Sequence, residues 1–183
     1  ATRLSEQLLA LAREEPGVAE KPFATVDLTA VARDAIQAFA PVAAAKAIDL
    51  GLVDPVPESA APVISGDADA LSTLVSNLID NAVRYAPQHG RVDIAVAAET
   101  GAVVLTVRDS GGGVPEAERS RIFDRFYRGA RAQGTVRGSG LGLAIVKRIA
   151  ERHGATIALG AGLDGRGLGV TVRFPVPGRG DVG

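Results

Sequence analysis

From Asp67 to Tyr85 the residues Leu71, Leu74, Val75, Leu78, Ile79, Ala82 and Val83 recur at helical spacing and make one continuous apolar stripe. The opposite face carries Asn77, Asp80, Asn81 and Arg84 at i, i+3, i+4 and i+7. A helix with one such stripe must bury it against another layer, which already restricts the chain to layered architectures. The polar face is unusual too. A merely solvated face favours Glu, Lys or Gln over two asparagines, which are poorer helix formers. Asparagine oxygens suit Mg²⁺, a cation that keeps several waters and takes its other ligands from phosphates.

The rest of the chain alternates strands and helices. Phe23–Leu28 is expected as a strand, followed by a helix to about Ala47, with Asp27 and Thr29 as capping side chains and a kink or break at Pro41. Ile48–Val53 and Val63–Ser65 are expected strands, separated by a Pro-rich loop over Asp54–Pro62. Strands over Arg91–Ala97 and Val103–Arg108 join through Thr100 and Gly101, and a long irregular segment runs from Gly111 to Gly138. A helix over Leu141–His153 and a hairpin of Thr156–Leu159 with Leu168–Pro175, turning at Asp164-Gly165, complete the pattern. This order predicts an α/β fold: a two-layer sandwich, with a mixed sheet covered by helices on one face. Near the start, Leu4, Leu8, Leu9 and Leu11 stripe a short helical piece ending at Pro16-Gly17. It has little of its own to pack on, so residues 1–16 are expected to be the tail of a longer helix, with an ordinary N-terminal helix packed on its own domain as the alternative, and residues 17–183 the domain proper.

Three further motifs carry chemistry. Asp109-Ser110-Gly111-Gly112-Gly113 follows a strand. Standing alone it is good turn chemistry. Equally, its carboxylate can accept a hydrogen bond from the exocyclic amine of adenine, where guanine presents a carbonyl, while Gly111 and Gly113 let the backbone approach a base. Arg121-Ile122-Phe123-Asp124-Arg125-Phe126-Tyr127-Arg128 lies in a segment, Glu116 to Arg137, that holds arginines 119, 121, 125, 128, 131 and 137 against only Glu116, Glu118 and Asp124. A long basic loop bounded by glycines suits a lid over a triphosphate. Arg125 and Arg128 are its candidate phosphate contacts, and Phe123, Phe126 and Tyr127 its candidate anchors in a chain only 4% aromatic. Gly138-Ser139-Gly140-Leu141-Gly142-Leu143 opens a helix, so its N–H groups and dipole would face an anion. It is neither a Walker A loop nor a dinucleotide fingerprint.

In this order the four motifs resemble the N, G1, F and G2 boxes of the catalytic, ATP-binding domain of sensor histidine kinases. The resemblance covers about residues 23–176. It implies the Bergerat ATP-binding fold, with ATP held between the helix layer and a mobile lid. It implies Mg²⁺ at Asn81 with Asn77 beside it, a basic phosphate contact at Arg84, an aromatic contact near the adenine at Tyr85, and phosphate contacts from Gly138 to Leu143. Related ATPases of the gyrase, Hsp90 and MutL type carry a glutamate in place of Asn77 that activates water. An amide cannot act as a general base, so phosphoryl transfer with little hydrolysis is expected.

Neither His89, in a Pro-Gln-His-Gly turn, nor His153, beside Gly154, has the acidic neighbour followed by Arg and Pro that marks the family's phosphorylated histidine. The acceptor is expected on a separate dimerisation and phosphotransfer domain, with a response regulator as the later recipient. By the same resemblance the whole protein is expected to be a homodimeric sensor, commonly of the inner membrane, with this domain in the cytoplasm and monomeric when isolated. A serine kinase of the anti-sigma type shares these boxes, and a nucleotide-sensing module without catalysis is a further alternative.

Composition narrows the remaining choices. A net charge of −1 gives no basic field for nucleic acid, and the absence of cysteine removes disulfides and thiolate metal sites. No apolar run is long enough to span a bilayer.

Overall fold

The computed structural model describes residues 5, 7–9, 12, 21–53, 62–129 and 138–176. Its elements are β1 (Ala24–Asp27), α1 (Leu28–Ala45), β2 (Asp49–Leu52), β3 (Val63–Gly66), α2 (Ala68–Tyr85), β4 (Arg91–Glu99), β5 (Ala102–Asp109), α3 (Glu116–Arg119), α4 (Gly142–Arg152), β6 (Thr156–Ala161) and β7 (Leu168–Pro175). Five strands form a mixed sheet in the order β2-β4-β5-β7-β6, in which only β2 and β4 run parallel. The sequence gives no sign of one division: β1 and β3 pair with each other as a separate antiparallel ribbon.

Period-two alternation fixes which side of the sheet is buried. Val103, Leu105 and Val107 of β5 are buried, and they stand opposite Phe174, Val172 and Val170 of β7 and, in part, Val96 and Ile94 of β4. Against this row lies the helix stripe foreseen above, with Leu71, Leu74, Val75, Leu78 and Ile79 all at most 2% exposed. Each such side chain contributes about 1.5–3 kcal/mol by leaving water. Helices α1 and α4 flank α2 in the same layer.

Both long N-termini are capped by aspartate. Asp27 accepts from Thr29 N and Ala30 N, and Asp67 accepts from Asp69 N and Ala70 N. Of the kink or break expected at Pro41, the break does not occur: α1 runs on through it to Ala45. The missing N–H frees only the carbonyl of Gln37, and both residues lie on the exposed side, where water can satisfy it. The Pro-rich loop falls largely on residues 54–61, outside the described residues, as does the end of the Gly111–Gly138 segment.

The histidines have the local roles expected of them. His89 is exposed in its turn with φ 59°, and His153 is the buried C-cap of α4. The His153 ring also joins two helices. Its Nε2 accepts from Asp67 N at 3.1 Å, which leaves Nδ1 as the donor to the Ile149 carbonyl at 2.7 Å.

Candidate functional site

A cavity of about 300 Å³ opens between α2, the start of α4 and the segment after β5. Its polar wall is the asparagine face: Asn77, Asp80, Asn81, Arg84 and Tyr85 all line it. Asn77 Nδ2 donates to the Thr73 carbonyl at 2.8 Å, which fixes the amide and turns Oδ1 toward the other wall. That oxygen stands 3.1 Å from where a side chain at Gly142 would begin, so any larger residue there would press the Asn77 amide out of place. Arg84 Nη2 is paired with Asp80 Oδ2 at 2.8 Å.

Asp109 is the buried carboxylate of the site, at 3% exposure. It ends the same inward-facing row of β5 that holds Val103, Leu105 and Val107, so strand geometry alone aims it between the layers. Its Oδ1 accepts from Gly111 N at 2.7 Å and Leu168 N at 3.3 Å, leaving Oδ2 for a ligand. Burial pushes its pKa up, only partly offset by those two backbone hydrogen bonds. Val114, Ile122, Leu143 and Leu168 line the same cavity and give it an apolar side suited to a flat base.

The first turn of α4 has no side-chain cap, so its leading N–H groups face the cavity edge without a protein acceptor from a capping residue. Ser139 Oγ accepts from Leu141 N, and Ser139 also bonds the side chain of Gln7. Gln7 belongs to the helical positions near the start of the chain and lines the cavity, which the sequence offered no signal for. The F and G2 motifs meet through backbone: Phe126 N donates to the Gly140 carbonyl at 2.9 Å.

Three carboxylates line the cavity, Asp80, Asp109 and Glu118, and Asp109 keeps one oxygen for a ligand. Asp80 pairs with Arg84, and Asp109 Oδ1 holds two backbone N–H groups. The asparagine oxygens suit Mg²⁺, and among the described residues no group of three or more His, Cys, Asp or Glu gathers to hold a metal by itself.

The family model of histidine kinase-, DNA gyrase B- and HSP90-like ATPases matches residues 66–178, which contain every wall of this cavity except Gln7. The chain belongs to this family.

Within that ATPase family, the chain is 42% identical over 172 residues to the sensor protein kinase PmrB of Pseudomonas aeruginosa, covering 94% of this chain and 35% of that protein. The ATP-binding domain of PrrB from Mycobacterium tuberculosis matches with a TM-score of 0.68 at 30% identity, over 86% of this chain and 99% of that one. Full-length ShkA in complex with AMPPNP matches with a TM-score of 0.77 at 29% identity, over 96% of this chain and 36% of that one. The chain spans about a third of the length of the curated relatives it matches.

Of the residues assigned to the site from sequence, this ATPase-family domain brings Asn77, Asn81, Arg84, Tyr85, Asp109, Gly113, Arg128, Gly138, Gly140, Gly142 and Leu143 to the cavity. Four do not line it. Leu141 is 0% exposed in the core, because the entry to α4 dips inward there. Gly111 is buried against the Tyr85 carbonyl rather than opened to a base. Phe123 is half-buried beside the lid turns, and Arg125 is exposed. Phe126 is a further correction. At 61% exposure and φ 63° it anchors the lid by its N–H, not its ring. Tyr127, by contrast, lines the cavity with the Arg121 guanidinium 4.5 Å over its ring.

Proposed function

We propose that this domain binds Mg²⁺–ATP and passes the γ-phosphoryl group to a histidine on a dimerisation and phosphotransfer domain, as the catalytic part of a two-component sensor histidine kinase. The observation that carries this reading is Asp109: an inward carboxylate, its Oδ2 uncommitted, at the apolar end of a cavity whose other end is asparagines and a helix N-terminus. Adenine would give its amine to Asp109 and lie among Val114, Ile122 and Leu168. The phosphates would extend toward Arg84, Arg128 and the start of α4. Mg²⁺ would be held by Asn81 with Asn77 beside it, and when bound it neutralises phosphate charge. The protein's own contribution is positioning and the exclusion of water.

The amide at Asn77, its Nδ2 held by the Thr73 carbonyl, supports transfer over hydrolysis, since an amide cannot act as a general base to activate water. The helical positions around Gln7 are read as the end of the dimerisation helix, with Leu8 and Leu9, 45% and 58% exposed, left for the rest of that domain. The response regulator would then take the phosphoryl group from the histidine, and the domain would lie on the cytoplasmic side of an inner-membrane sensor. No helix among the described residues is long and apolar enough to cross a membrane.

The test is to supply a phosphotransfer hairpin in trans with γ-labelled ATP. Acid-labile, base-stable label on the hairpin's histidine is the expected result. Label on a serine of a partner protein would instead favour the anti-sigma type of kinase.

A further inference from the structure

Lys46 belongs to none of the motifs and does not line the cavity, yet its ammonium group is spent on the helix that does. It ends α1 and reaches across to the C-terminus of α2, where Nζ donates to the carbonyls of Val83 at 2.8 Å, Arg84 at 3.2 Å and Ala86 at 2.8 Å. Three donors meet three acceptors, so the ammonium is fully used. The final carbonyls of a helix have no partners of their own, and a cation there also matches the negative end of the dipole. The basic residue of that last turn itself, Arg84, faces Asp80 instead.

The backbone at Lys46 holds the same segment a second time. Its carbonyl accepts from His89 N at 3.0 Å, and three residues on Asp49 N donates to the Gly90 carbonyl at 2.9 Å. The end of α2 and the turn after it are thereby pinned by residues that do not line the cavity.

What this segment touches gives the clamp its consequence. The Tyr85 carbonyl, between two of the clamped ones, stands 2.5 Å from where a Cβ on Gly111 would lie. Gly111 N in turn donates to Asp109 Oδ1. We propose that Lys46 is a positioning residue for the nucleotide site: by fixing the last turn of α2 it sets the Tyr85 carbonyl against Gly111, and through Gly111 the orientation of the Asp109 carboxylate. Its role at the site rests on the reading of Asp109 as the adenine contact. The cost of its position is visible: burial, with the charge of Arg84, holds the Lys46 pKa below its ordinary value.

The test uses the full 183-residue chain with Lys46→Met, and Lys46→Gln should the first variant fold poorly. The amide proton of Gly111 is followed by NMR without nucleotide, and ATP affinity is measured by titration well below the melting temperature. The proposal expects the Gly111 resonance to move upfield as its bond to Asp109 lengthens, and the Kd for ATP to rise about tenfold. A folded variant with Gly111 unmoved and ATP affinity unchanged would overturn it and leave Lys46 as a helix cap alone. If the wild-type chain takes up no ATP, the reading of the site fails, while the Gly111 resonance still decides whether Lys46 sets that backbone.

Discussion

Asp80 and Arg84 are paired at 2.8 Å one turn apart on α2, with only 18% and 20% of the two side chains exposed. The pairing holds the guanidinium on the cavity wall rather than letting it follow solvent, with Nη1 3.1 Å from the Cβ position of Gly138. A double-mutant cycle of Asp80→Ala and Arg84→Ala, read by denaturant unfolding, should give a coupling energy of about 1 kcal/mol. Strict additivity would mean that the pair does not hold the guanidinium.

The burial of Asp109 makes a pH prediction with a definite sign. Burial raises its pKa, so the charged form is the less favoured one in the folded chain. Its contribution to stability is therefore full below the ordinary carboxylate value and is lost as pH rises through the raised folded value. A ¹³C carboxyl titration of Asp109 should show a midpoint above 3.8. Saturating ATP should lower that midpoint, because the adenine amine bonds the ionised form. A midpoint that nucleotide leaves in place would detach Asp109 from the base.

Leu141 separates packing from contact. Being 0% exposed, it should cost about 2–5 kcal/mol of stability on Leu141→Ala. The ATP affinity of the folded variant should stay within a few-fold of the parent. A variant as stable as the parent that binds ATP poorly would return Leu141 to the site.

Asn77 predicts what the domain does not do. With an amide there, tied to the Thr73 carbonyl and unable to act as a general base, steady-state phosphate release from ATP should be slow. Continuous, rapid phosphate release in a coupled assay would contradict transfer as the reaction.

The helices were legible because their patterns are long and periodic: α2 begins one residue after its aspartate cap, as its stripe requires. The asparagine face was equally legible, since two weak helix formers on one face need a reason to be there. The inward aim of Asp109 was available in principle from the alternation of Val103, Leu105 and Val107, which carries on to it. The lid was harder to read. Aromatic residues in a polar loop look like anchors, but Phe126 sits at a positive φ that points its ring to solvent and leaves its N–H to do the holding. The clamp by Lys46 had no sequence signal at all. It joins residues 37 to 40 positions apart, and nothing local in the α1–β2 turn reveals which helix end it meets.

The most direct test of the adenine site is a calorimetric titration of the chain with Mg²⁺–ATP, with Mg²⁺–GTP and the Asp109→Asn variant as controls. Saturable binding of ATP, with GTP not bound and the variant silent though folded, is the predicted result. Equal binding of both nucleotides, or an unchanged affinity in Asp109→Asn, would contradict it.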